Sequence, residues 1–197
     1  MVKVYWQIGS FLTITNNDGA VKRYAMAAEQ GHAYAQCNLG CMHQNGQGGL
    51  AKSDAEAAKW YTMAAEQGHA GAQFNPGLMH ANGRGGLAKS DTEAVKWYKK
   101  AAKQGHAGAQ FTLGLMHKNG RGGLAKSDTE AIKWYTQAAE QGNGQAQYNL
   151  GFMRANGQGG LAKSDAEAGK WFTMAGEQGK EGAQRNLEMM KSECIVS

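Results

Sequence analysis

Proline occurs once and cysteine three times in this 197-residue chain, and no apolar run approaches the roughly 18 residues of a membrane-spanning helix. A single proline excludes proline-rich linkers, and it excludes a collagen-like reading of the 29 glycines. Three cysteines are odd in number and too few to staple a chain of this size, which favours a reducing compartment. The opening MVKVYWQIGSFLTITNN lacks the basic start and unbroken apolar run of a secretory leader. The expectation is a non-secreted, cytoplasmic protein, long enough for one domain with a real core.

What the chain does have is repetition. Trp60, Trp97, Trp134 and Trp171 stand 37 residues apart, and NGQGGLAKSDAEAAKWYTMAAEQGHAGAQ recurs with few changes in all four units. Nearly all the glycine falls at fixed places in the repeat, as punctuation between elements. Ser53-Asp54-Ala55-Glu56 and its copies at 90–93, 127–130 and 164–167 have the form of a capping box. Each serine is expected to accept from the amide three residues on, each glutamate to reach back to the cap amide, and both acids to favour the positive helix end. The helix so begun runs through AEAAKWYTMAAEQ and stops at Gly68 or its copies. A second helix, AYAQCNLGCMHQ in the first full unit, closes on Asn45-Gly46 and its copies. Small residues at Ala35, Gly40, Ala64 and Ala65 permit close helix packing, with Leu39, Met42, Trp60 and Tyr61 supplying bulk.

The pattern AAEQGHAxAQxNLGxMxxNGxG…AxKWYxxAAEQG resembles the Sel-1-like repeat, a relative of the tetratricopeptide repeat, over about residues 18 to 190. The resemblance implies an all-α, right-handed α-α superhelix, a solenoid of about nine or ten helices in 37-residue two-helix repeats. Residues 1–17 are read as a cap or truncated repeat, 18–179 as the array, 180–191 as a capping helix and 192–197 as a tail. It departs from the family in a loop one residue longer, in His43, His80 and His117 where tyrosine is usual, and in Pro76 where the other copies have Leu39, Leu113 and Leu150. Proline inside a helix costs about 3 kcal/mol and a donor, so the helix over 70–82 is expected to kink or restart at Asn75-Pro76. Glu188 takes the Gly40 position and is expected to close the stack.

The resemblance implies a protein-interaction scaffold or adaptor, not an enzyme, monomeric and without cofactor. In tetratricopeptide-like arrays the first helix of each unit lines a concave face. The matching positions here are Phe74, Leu78, Phe111, Leu115, Tyr148 and Phe152, with Asn38, Thr112, Asn149 and Lys118 nearby, a candidate groove for a partner helix or extended peptide. Packing against the neighbouring repeat is the other reading of the same side chains. Some cysteine-rich bacterial relatives carry helix-to-helix disulfides and a claimed penicillin-binding or weak hydrolase activity. This chain lacks those cysteines and any repeat-breaking Ser, His and acid set.

Gly46 to Ser53 comes one residue short of the phosphate-binding pattern, but Ala51 replaces its last glycine and a helix precedes the loop where a strand is needed. The six histidines fall in two repeat-spaced sets with no i, i+4 ligand pairing, so no metal is called. Cys37 and Cys41 take positions filled elsewhere by Phe or Tyr and by Leu or Phe, and read as small hydrophobes. Residues 69–105 hold six basic and two acidic side chains, net +4 of the chain's +5, with Lys96, Lys99, Lys100 and Lys103 on one helix. That basic face suits an acidic partner or solvent; the aromatics belong to the core, so no nucleic-acid partner is called. Cys194-Ile195-Val196-Ser197 has the C-a-a-X form whose terminal serine points to farnesyl. One lipid with no polybasic helper gives reversible anchoring, the basis of an alternative reading as a membrane-recruited effector delivered to a host cell.

Overall fold

The structure, a computed structural model, describes residues 17–179 and 181–196, with side chains for 19–179 and 182–189. Residues 1–16 of the proposed cap at 1–17, Lys180, Ser197 and the Cys194 side chain therefore lie outside the described residues. Ten α-helices follow one another: α1 (Asn17–Glu29), α2 (Ala33–Asn45), α3 (Asp54–Glu66), α4 (Ala70–Asn82), α5 (Asp91–Lys103), α6 (Ala107–Asn119), α7 (Asp128–Glu140), α8 (Gly144–Ala155), α9 (Asp165–Glu177) and α10 (Glu181–Val196). Among the described residues there is no strand, and each helix packs mainly on its immediate predecessor and successor. The tightest pairings are α2 with α3, α4 with α5, α6 with α7 and α8 with α9. This is the helix-pair stacking of an α-solenoid at the 37-residue period of the sequence.

The serines cap as expected. Ser53, Ser90, Ser127 and Ser164 accept from the amides of Glu56, Glu93, Glu130 and Glu167 at 3.1–3.3 Å. The reciprocal half of the capping box is absent. Each cap amide donates instead to a backbone carbonyl of the preceding helix, His43, His80, His117 or Arg154, at 2.8–3.1 Å. With that donor satisfied, Glu93 pairs with Lys96 at 2.6 Å, Glu130 with Lys133, and Glu167 with Arg154 at 2.7 Å.

The close approach inside each pair is set by a ring over a glycine. Tyr61, Tyr98, Tyr135 and Phe172 are fully buried. A Cβ added at Gly40, Gly77, Gly114 or Gly151 would lie 2.5–2.8 Å from the ring of the partner helix. Side chains cannot share that space, so the repeat needs glycine in mid-helix despite a propensity cost of about 1 kcal/mol. Alanines and Leu39, Met79, Leu113, Met116, Leu150 and Met153 fill the rest of the core.

A buried polar ladder runs through this apolar interior. Gln36, Gln73, Gln110 and Gln147 each donate to a carbonyl eight residues back, at Ala28, Ala65, Ala102 and Ala139, at 3.0–3.2 Å. Each also accepts, at 2.6–3.0 Å, from Gln67, Gln104, Gln141 or Gln178. Donor and acceptor ends are thus both satisfied, the condition under which a buried amide does not destabilise.

The expected break at Pro76 does not occur. Helix α4 runs from Ala70 to Asn82 with Pro76 inside it and fully buried. The pyrrolidine ring takes the buried core place of Leu39, Leu113 and Leu150, and the helix does not restart there.

Candidate functional site

The surface left by α2, α4, α6 and α8 is nearly uncharged. Between them α2, α4, α6 and α8 carry no acidic residue, and beside the histidines their only basic ones are Lys118 and Arg154. Arg154 is already engaged by Glu167. From α2 to α9 the acidic side chains sit on the odd helices, whose first turns they favour, and α10 carries its own in Glu181, Glu188 and Glu193.

The six candidate groove side chains separate into two rows. Phe74, Phe111 and Tyr148 are half-buried, and their rings meet Tyr98, Tyr135 and Phe172 at centroid distances of 5.5, 5.8 and 5.7 Å. Phe74 also stacks on His106 at 4.6 Å. One turn further on, Leu78 and Phe152 stand 38% and 43% exposed, with Leu115 half-buried between them. The first row therefore packs on the repeat core; of the second, Leu78 and Phe152 face outward while Leu115 packs against the same core cluster as Phe111. Met189, 54% exposed on α10, continues the outward row at the same spacing from Phe152. Sequence reasoning missed Met189 because it treated α10 as a polar cap, although the 37-residue spacing was the available signal. Lys118 lies 5.9 Å from the Phe152 ring, and the Asn38 and Thr112 side chains bond carbonyls of their own helices at 2.9 and 2.8 Å. Asn149 is half-buried on the same surface. The buried Tyr98 and Tyr135 hydroxyls are pushed up to about 12 by desolvation, which keeps them neutral and inert as acids at ordinary pH.

The basic face is exposed on α5, but half its cations are engaged. Lys96 bonds Glu93, and the Lys100 ammonium sits 4.1 Å from the Trp97 ring centroid. Lys99 and Lys103 are exposed beside them.

The glycine-rich loops are structural. Gly85 has φ +68°, and a Cβ there would meet the Asp54 carbonyl at 2.5 Å, so the loop lies directly on the start of the preceding odd helix. Arg84 clasps Asp54 with two bonds of 2.9 and 2.8 Å, and Arg121 clasps Asp91 with two of 3.0 Å. The Arg84 guanidinium holds the Asp54 carboxyl below its ordinary range. Of the first histidine set, His69 and His106 cap helices, their Nδ1 atoms accepting from Ala72 and Ala109 at 3.0 and 3.1 Å. Asn143 does the same for α8. The sequence offered this clue, since asparagine is an ordinary N-cap and stands at the histidine position of the last unit. Among the described residues no group of three or more His, Cys, Asp or Glu could hold a metal, and no helix is long and apolar enough to cross a membrane.

The Sel1 repeat profile matches four consecutive segments, residues 33–69, 70–106, 107–143 and 144–180. No curated protein matches the chain. A protective antigen of uropathogenic Escherichia coli with an SLR fold is 33% identical, TM-score 0.77, over 85% of this chain and 35% of that one. A Sel1 repeat protein from Oxalobacter formigenes is 30% identical, TM-score 0.83, over 93% of this chain and 52% of that one. The chain thus spans about a third and about half the length of these two structures. Cysteine rich protein B of Helicobacter pylori, 21% identical with TM-score 0.51 over 67% of this chain and 92% of its own, shares the fold alone.

Proposed function

The chain belongs to the Sel1 repeat family, and from that premise we propose that it is a scaffold that holds a partner helix or extended peptide on the even-helix surface. Sel1 repeat proteins are in general non-enzymatic scaffolds for protein–protein contacts. The observation that carries the reading is the row of Leu78, Leu115 and Phe152, exposed at Leu78 and Phe152 and half-buried at Leu115, apolar and repeat-spaced on helices with no acidic side chain. A partner segment would bury apolar side chains along that row, with any carboxylate it carries placed near Lys118. Because the surface is preformed, binding loses little backbone freedom, and affinity comes from a few buried anchors.

The test substitutes the row that packs least. Leu78, Leu115 and Phe152 are changed together to Ala, with Lys99→Glu plus Lys103→Glu as a separate variant, and crosslinked partners are compared at equal helicity. Loss of the same partner in the first variant and retention in the second supports docking on the even helices. Retention in the first and loss in the second moves docking to the basic face of α5, and retention in both rejects the two surfaces together.

A further inference from the structure

The four copies of the repeat serve as an internal alignment, and one departure from it brings two thiols together. The positions of Cys37 and Cys41 hold Phe74 and Leu78, Phe111 and Leu115, then Tyr148 and Phe152 in the other units. Both cysteines are free thiols on one face of α2, Cys41 exposed and Cys37 half-buried. The Asn45 amide donates to Cys41 Sγ at 3.3 Å. Cys37 packs against the buried cluster that holds Tyr61, whose hydroxyl donates to Gln44 of α2 at 2.9 Å. One helical turn apart, two thiolates repel each other unless a cation lies between them.

Spacing decides what that pair can do. Residues four apart on a helix have Cβ atoms about 5–6 Å apart, whereas a disulfide needs about 3.5–4.5 Å. A direct bond would distort α2. Two metal–thiolate bonds of about 2.3 Å, the length found with zinc, span about 4.6 Å in a line, close to the separation of the two Cβ atoms. With no cluster of three or more ligating side chains among the described residues, a tetrahedral zinc site is not offered. Two thiolates alone suit a soft cation that accepts linear coordination.

We propose that Cys37 and Cys41 form a bidentate dithiol site for one soft cation, with Cu(I) the physiological member of that class. Binding breaks two S–H bonds, forms two Cu–S bonds and releases two protons, with no change of oxidation state. The test is an anaerobic titration of Cu(I) against bicinchoninate, using the full chain with Cys194→Ser so that only these two thiols remain. One equivalent is taken by that chain, and Cys37→Ala and Cys41→Ala, each as helical as the parent, weaken binding about 100-fold through loss of the chelate. Undiminished binding by either single-thiol variant, or failure of the two-thiol chain to compete, overturns the proposal. Phenylarsine oxide gives a second readout of the geometry. In excess glutathione the two-thiol chain keeps one adduct, formed with loss of one water, and the single-thiol variants keep none; no adduct on the two-thiol chain also overturns it.

Discussion

At the scale of single residues, the glycine under each buried ring carries the most consequence. In an exposed helix Gly→Ala gains up to about 1 kcal/mol, but at Gly114 the new Cβ would sit 2.5 Å from two Tyr135 ring carbons. Overpacking of that kind costs about 1–3 kcal/mol, so Gly114→Ala lowers the thermal midpoint in circular dichroism, while Gly169→Ala, with nothing within 4 Å, raises it. The histidine cap supplies a second prediction. His106 Nδ1 accepts from Ala109, and burial lowers its pKa. The folded state therefore binds the proton less readily than the unfolded chain. The stabilisation is complete above the ordinary histidine value of about 6.5 and declines as pH falls from there toward the lowered folded value. His106→Asn keeps the cap and flattens the change in midpoint between pH 7.5 and 5.5, whereas His106→Ala costs about 1 kcal/mol at neutral pH. The serine caps were legible because their chemistry is local, read from four letters. The histidine caps and the glutamine ladder were not, since nothing in the residue types says which way an imidazole faces or that Gln67 meets Gln36 across two helices.

At the scale of the helix, the bounds of α2 to α9 followed closely from the sequence, while α10 runs to Val196 past the expected end at 191; the unbroken α4 measures the weight of tertiary packing. Pro76 removes a donor from the middle of α4, yet the helix keeps the same 13 residues as α2 and α6. Local propensity opposes this helix while the stack on both sides requires it, and the stack wins. Pro76→Leu restores the donor and the side chain that the core accepts at Leu113, so the midpoint rises with helix content unchanged. A fall in the midpoint would mean that the pocket around position 76 has been shaped to the ring. Between helices the arginine clasps act as ties from one unit to the last. Gln47 and Gln158 stand where Arg84 and Arg121 do, so Arg84→Gln removes the clasp with a residue the repeat tolerates. Asp54 is held below its ordinary range chiefly by its hydrogen bond to Arg84. The contribution is therefore present above the unfolded carboxyl value of about 3.9 and lost as pH falls through the lowered folded one. Arg84→Gln loses midpoint at pH 7 and converges on the parent in strong acid.

At the scale of the whole molecule, contacts are nearest-neighbour, and the stack behaves as a sum of like units and like interfaces. That property, and the division between a charged odd-helix side and a nearly uncharged even-helix side, were both implicit in the period. The direction each row faces was not, because Phe74 and Leu78 share a helical face in the sequence and only packing against Tyr98 separates the buried one from the exposed one. Additivity makes a demanding prediction about deletion. Removing residues 107–143 joins His106 to Gly144 and presents α8 to α5 as α6 was presented. His106 then caps α8 where Asn143 did, Gln147 finds the Ala102 carbonyl in place of Ala139, and Gly151 keeps Phe172. The one tie forfeited is the Arg121–Asp91 clasp, since Gln158 follows in its place. Helicity per residue should hold and unfolding should stay cooperative at a lower midpoint. Removing 107–124 shortens the chain by half as much but places α7 after α5, so that Tyr135 meets no glycine and Gln110 is gone from the ladder. The smaller deletion should therefore be the more damaging, with a broad transition and lost helicity. If the two deletions were to melt alike, the repeat would not be the folding unit, and the interfaces between helices would matter less than the period implies.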